Sequence, residues 1–281
     1  SSRGLGDVYK RQGLDNFCWP DPVESEKTPD GRYKLAQLVR ANRALDEVCR
    51  AYKLPCISGK DSMKNDAKLH GEKISIPPTI LFSLIGNHSD VRKAVSSDFK
   101  TPGDRIYLCG ESHQELGASE LAYMLRDETQ GQSGIGGRVP EIDTTRNLAM
   151  YRALTEAMQK SLVASAHDCS DGGLAVALSE CCFGSDSGAR IDISAIMSDC
   201  DQIEPWGAMF GESLGRILVS VKAENKEAFE TSMIGHACYS LGVVEEGDTI
   251  SVTNGDTPLI STSMSTLRKA WKETLDGGGP Q

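Results

Sequence analysis

Between Val163 and Glu180 the chain runs through an apolar stretch, a polar Asp-Cys-Ser-Asp-Gly-Gly turn and a second apolar stretch, VASAHDCSDGGLAVALSE. The first stretch alternates as a strand does, and the second has helical spacing from Gly173 to Cys182. A strand that ends on a glycine pair and turns at once into a helix needs sheet and helix packed together, so the chain is read as mixed α and β. The same alternation predicts strands at Arg105–Cys109, Arg190–Ile193 and Arg216–Val221, and helices at Leu116–Leu125, Thr144–Ser161 and Glu224–Ser232.

Upstream, Leu35, Leu38, Val39, Leu45, Val48 and Tyr52 recur at helical spacing among charged residues and predict a long amphipathic helix. Leu54–Ser58 follows as a short strand halted by Gly59, then comes a polar turn and a strand pattern from Ile74 to Ile85. Pro77 and Pro78 cannot both serve a ladder, so that strand is expected to be interrupted there. The turn-rich KTPGD at Lys100–Asp104 places a domain boundary near residue 100. Gln130–Val139 reads as a glycine-rich surface loop. Residues 1–12 have no clear periodicity and read as a non-native leader, and residues 276–281 as a flexible tail.

Composition narrows the partners. Thirty basic against forty acidic residues leave a net charge of -10, which favours neither nucleic acid nor an anionic membrane. The longest apolar runs fall far short of the roughly 20 residues a membrane-spanning helix needs. Without a signal-peptide pattern, the cytoplasm is the expected compartment. Nine cysteines, odd in number and never spaced CxxC, indicate neither a disulfide framework nor a zinc ribbon. The five histidines show no zinc-ligand spacing.

Several segments carry possible chemistry. In ISGKDSMKND, Gly59 would let backbone approach a ligand, Lys60 offset phosphate charge, Asp61 hold magnesium and Ser62 donate a hydrogen bond; a plain solvated turn has the same composition. The GxxxxGK(S/T) spacing of a P-loop is absent. In AHDCSDGG, Asp168 or Asp171 could carry magnesium while Gly172 and Gly173 present backbone N–H groups to an anion, or the segment is simply a capped helix start. His167, Asp168, Cys169 and Ser170 do not make a hydrolytic triad, because neighbours on a strand point to opposite faces. Glu212, Ser213 and Arg216 cluster before an apolar strand, and Phe17 and Trp19 sit in a proline-rich loop where aromatics usually plug a core.

Taken in order, LDNFCWPDP, PCISGKDSMKND, ISIPPTILFSLIG, ASAHDCSDGGLAVALSE and GESLGRILVSV resemble the phosphoribosylformylglycinamidine synthase family over about Gly13–Leu275. The match is to the second of the two homologous halves of that family's synthetase region. It implies an α+β, PurM-like fold shared with aminoimidazole ribonucleotide synthetase: residues 13–100 as part of an N-terminal domain and 101–275 as a complete C-terminal α/β domain. It also implies ATP or ADP and Mg2+ as cofactors, with formylglycinamide ribonucleotide as the intact enzyme's substrate and a glutaminase supplying ammonia.

By position, Gly59, Lys60, Asp61 and Ser62 resemble a nucleotide and substrate loop, with Asp15 and Asn16 beside an upstream contact. Asp168 resembles a magnesium ligand and Ser170 a contact of an auxiliary nucleotide site, while Glu212, Ser213 and Arg216 match the other half's substrate turn only loosely. The family's catalytic histidine lies in a first half with no counterpart here. The resemblance therefore implies an ATP-dependent C–N ligase as the parent, no catalytic residue in this chain and no turnover by it alone. Truncation also leads us to expect self-association.

Overall fold

The computed structural model describes residues 11–273 except Ser89, residues 127–136, Asp186 and Asp201. Residues 1–10, the tail from 274 and most of the predicted 130–139 loop lie outside the described residues. The chain divides into two compact units, Ser1–Val91 and Arg92–Gln281.

The first unit contains β1 (Arg11–Cys18), α1 (Gly31–Ala51), β2 (Cys56–Ser62), β3 (Asp66–Leu69), β4 (Glu72–Ser75) and β5 (Thr79–Gly86). Its main sheet has the order β2-β1-β5, parallel between β1 and β2 and antiparallel between β1 and β5, while β3 and β4 form a separate hairpin. Arg11 and Gln12, set aside with the leader, extend β1 opposite Gly86 and Ile85. The predicted strand from Ile74 to Ile85 is broken, as the proline pair demands, between β4 and β5.

One sequence expectation fails here. Gly59 does not halt a strand: ISGKDS is the body of β2, with Gly59 opposite Asp15 and Ser62 opposite Cys18. Polar residues accept a strand because β1 offers a parallel ladder and β2, among the described residues, is an edge with one neighbour. Phe17 and Trp19 are buried at 2% and 3% exposure, and Trp19 Nε1 donates to Lys34 O of α1 at 3.0 Å.

The second unit contains β6 (Arg105–Cys109), α2 (Glu120–Met124), α3 (Thr144–Gln159), β7 (Ser165–Asp168), α4 (Gly173–Phe183) and β8 (Gly188–Asp192). It continues with α5 (Ser194–Asp199), α6 (Pro205–Phe210), β9 (Ile217–Val221), α7 (Lys226–Ser232), β10 (Cys238–Glu245), β11 (Thr249–Asn254), β12 (Thr257–Ser263) and α8 (Met264–Glu273). A seven-stranded sheet runs β12-β11-β8-β10-β6-β9-β7, antiparallel at every pair except β8 with β11.

Period-two alternation gives this sheet two apolar faces. Ile106 and Leu108 join one core with Leu174, Leu178, Ile196 and Met209 from α4, α5 and α6. Tyr107 and Cys109 join the other with Met150, Leu154 and Phe229 from α3 and α7. The predicted helix over Leu116–Leu125 shrinks to α2, because Ala118 takes φ 58 and Ser119 caps the helix, its Oγ accepting from Ala122 N at 3.2 Å. Phe99, only 1% exposed, anchors the segment before KTPGD in the second unit's core.

No helix among the described residues is long and apolar enough to cross a membrane.

Candidate functional site

The junction of β7 and α4 carries three exposed polar side chains, Asp168, Ser170 and Asp171. Ser170 Oγ donates to Asp168 Oδ2 at 2.5 Å, and this bond, ahead of other effects, holds the carboxyl below the usual aspartate range. His167 stays beside it, Nδ1 3.8 Å from Asp168 Oδ1, and adds to the lowering of the Asp168 pKa. His167 also turns towards α4, its Nε2 3.1 Å from Glu180 Oε2, and Cys169 is buried, its thiol pushed up to about 11 by desolvation.

The glycine pair is not open to an anion, which corrects the sequence expectation. Gly172 N donates to Glu212 Oε1 at 2.9 Å and Gly173 N to Ser170 O at 3.0 Å. The same Glu212 Oε1 accepts from Glu120 N at 2.9 Å, so one carboxylate serves the first turns of both α4 and α2. The favourable position for negative charge at these helix starts is thus filled by the protein itself. Gly172 has φ 75, a backbone conformation costly for other residues.

Arg216 is no ligand contact either. It is 1% exposed and donates from Nε to Ser213 O at 3.3 Å, from Nη1 to Ser112 Oγ and Ala208 O at 3.2 Å each, and from Nη2 to Gly211 O. Burial lowers its pKa, opposed by Cys169, Glu115 and Glu212. A guanidinium that spends four of its five N–H groups on three backbone carbonyls and a hydroxyl clamps the 211–216 turn to the end of α6. Ser213 Oγ accepts from His113 N at 3.1 Å, tying the turn to the segment after β6.

The sequence reading missed Glu115. This carboxylate is fully buried: Oε1 accepts from Glu141 N at 3.2 Å and lies 3.9 Å from Arg138 Nε, while Oε2 has no hydrogen-bond partner among the described residues. It lines a cleft of about 180 Å³ with Glu111, His113, Arg138, Asp143 and Asn147. The excess of carboxylates repels phosphate and suits a hydrogen-bond donor. Nothing in the local run ESHQE distinguishes Glu115 from a solvated glutamate.

The first unit places its candidate residues on two faces of one sheet. Asn16, Lys60 and Ser62 share one face, with Lys60 Nζ donating to Ser62 Oγ, and Lys60 is exposed. Asp15, Gly59 and Asp61 share the other. A Cβ added to Gly59 would stand 2.6 Å from Asp15 Oδ1, so glycine is what lets the aspartate lie over β2. Among the described residues, no group of three His, Cys, Asp or Glu side chains is placed to hold a metal ion. Magnesium, however, usually keeps several waters and needs only one or two carboxylates plus phosphate oxygens. Asp168, exposed and held ionised, fits an ion brought in with a phosphate ligand and not a resident one.

Comparison with known proteins places this architecture. Residues 101–254, more than half of the 281, match the model of the AIR synthase related protein, C-terminal domain. Thermotoga maritima PurL complexed with FGAR superposes with a TM-score of 0.66 at 16% identity, over 91% of this chain and 39% of that one. The same protein complexed with ATP gives 0.59 at 15% identity, over 95% and 39%. Escherichia coli HypE, a hydrogenase maturation protein, gives 0.58 at 14%, over 90% and 72%. The chain thus spans well under half the length of the PurL chains it matches, and at these identities the likeness concerns the fold. The α+β, PurM-like fold that the motifs imply is the one observed, and the chain belongs to the AIR synthase related family, whose C-terminal domain is formed by its residues 101–254.

Proposed function

We propose that this chain is the second, nucleotide-holding half of the synthetase part of a phosphoribosylformylglycinamidine synthase, an ATP-dependent C–N ligase of the cytoplasm. The intact enzyme would convert formylglycinamide ribonucleotide to its amidine with ammonia released from glutamine by a glutaminase. In this reading residues 13–100 are the later part of an N-terminal domain and 101–275 the C-terminal domain. The fold likeness to PurL bound to FGAR and to ATP supports the parent activity.

The observation that carries the reading is the exposed Asp168–Ser170 pair at the end of a strand beside a helix start, in which the Ser170 hydroxyl keeps the Asp168 carboxylate ionised. Asp168 would ligate a nucleotide-borne Mg2+, and Ser170 would contact the nucleotide while holding Asp168 in place. Magnesium so bound would offset phosphate charge. Asp15, Asn16, Gly59, Lys60, Asp61 and Ser62 would form the first unit's share of nucleotide and substrate binding, with Lys60 as its cation.

Within this reading the chain acts as a brace and not as the catalytic centre. Glu212 occupies the N–H of Gly172, and Arg216 is spent on backbone carbonyls, so neither stabilises a transition state. Titration calorimetry of ATP and ADP with magnesium into the chain is the test. Binding that Asp168→Ala weakens at least tenfold is expected, without amidine formation. Amidine made by the chain alone would refute the bracing role, and nucleotide binding unchanged by Asp168→Ala would remove the proposed metal position. A second reading, another ATP-using synthetase of this fold, draws on the HypE likeness, which covers 72% of that chain. Formylglycinamide ribonucleotide bound by the reassembled parent separates the two.

A further inference from the structure

Two cysteines of the first unit meet at the exit of α1. Cys49 lies in its last turn, and Leu54 N returns to Cys49 O at 2.8 Å while Lys53 N bonds Arg50 O at 3.2 Å. Lys53 adopts φ 52 to make this reversal, Pro55 O accepts from Gly13 N at 2.9 Å, and Cys56 opens β2. The backbone on both sides is therefore held, and it brings the two Sγ atoms to 3.6 Å. A disulfide needs about 2.05 Å, so the two sulfurs have to close by roughly 1.5 Å.

We propose that Cys49 and Cys56 form a reversible, oxidant-responsive disulfide, with glutathione disulfide as the chemical class of oxidant. The environments assign the order of events. Cys56 is exposed and meets the oxidant, whereas partial burial, followed by its bond to Cys56, pushes the Cys49 thiol up to about 11. The Cys56 thiolate attacks one sulfur of glutathione disulfide, breaking that S–S bond and releasing one glutathione. Cys49 then attacks Cys56 Sγ of the mixed disulfide and releases the second. Two protein thiols are oxidised, one glutathione disulfide is reduced to two glutathiones, and the two thiol protons end on them.

The molecule contains its own control. Cys109 and Cys238 face each other across β6 and β10 with Sγ atoms 3.7 Å apart, almost the same separation. Cys109 is fully buried and its thiol is pushed up by the bond to Cys238 and by desolvation. Proximity is equal in the two pairs, so access and not distance should decide which one oxidises. The disulfide would tie the end of α1 to the first residue of β2, the strand that carries Gly59–Ser62. This inference does not depend on the nucleotide reading, and its test uses no nucleotide.

The full chain is equilibrated over a series of glutathione to glutathione disulfide ratios, free thiols are blocked by alkylation, and tryptic peptides are mapped without reduction. Cleavage after Arg50 and Lys53 separates the two cysteines. The expected product is residues 44–50 linked to residues 54–60, rising as both alkylated peptides fall and lost with dithiothreitol, while Cys109 stays alkylatable after unfolding. Cys49→Ser should trap Cys56 as its glutathione adduct, and Cys56→Ser should leave Cys49 reduced; circular dichroism confirms that each variant is folded. Both cysteines still reduced in the most oxidising buffer, a wild-type Cys56 that stops at the glutathione adduct, or oxidation of Cys109 and Cys238 first would each overturn the proposal.

Discussion

The second unit packs helices on both faces of a seven-stranded sheet, whereas the first has a three-stranded sheet, a separate hairpin and a single long helix that buries only Gly31 and Lys34. Among the described hydrophobics, burial in the first unit is confined to Phe17 and Trp19, and Leu35, Val39, Leu81, Leu84 and Ile85 remain 43–63% exposed. Small sheets with so little buried apolar area are marginal by themselves. Cooperative stability should therefore reside in the second unit, and the first should open at lower cost and offer adhesive surface to further chains.

The largest effect expected is on the core of α4. Leu178, 1% exposed, loses its packing in Leu178→Ala, and urea unfolding of the second unit should show a loss of about 3 kcal/mol. Leu81→Ala, at a site 60% exposed, should cost less than about 0.5 kcal/mol. Equal costs would break the contrast between the units. A similar loss of about 3 kcal/mol is expected for Arg216→Ala, which strands the carbonyls of Ala208, Gly211 and Ser213 without a donor; a loss near zero would show that the clamp is incidental.

Smaller changes sharpen the picture. Glu212→Ala empties the carboxylate shared by Gly172 N and Glu120 N and should cost about 1 kcal/mol, with Glu212→Gln recovering part of it. The subtlest test is Asp104→Asn. Burial raises the folded-state pKa of Asp104, against the Thr101 N–H and Lys222, so the neutral form is favoured by folding. That contribution is fully present below the ordinary aspartate pKa and is lost as pH rises through the folded value. Asp104→Asn should accordingly raise the melting temperature at pH 7 and leave it unchanged near pH 3. The reverse order would mean that Asp104 is a stabilising charge.

The sequence reading succeeded where signals are local. Charged residues interspersed at helical spacing marked α1, an apolar run bounded by KTPGD marked β6, and the glycine pair marked the start of α4. Pro77 and Pro78 marked the gap between β4 and β5 because neither offers an N–H. It failed at ISGKDS, whose polar composition imitates a turn until β1 supplies a partner across Asp15–Gly59 and Asn16–Lys60.

The site divides along the same line. That Asp168 and Ser170 sit at a strand end before a helix could be read from residues 163–180, since turn chemistry and periodicity act within a few residues. That the nearby N–H groups are already occupied could not be read, because Glu212 reaches Gly172 from 40 residues away and Glu120 from 92. Burial of Arg216 and Glu115 was equally invisible, as both lie in runs that look solvated. Periodicity, turns and motifs marked α1, β6, the start of α4 and the PurM-like fold; only long-range packing decided which polar groups face solvent and which spend their hydrogen bonds inside, because desolvation depends on neighbours that are distant in sequence.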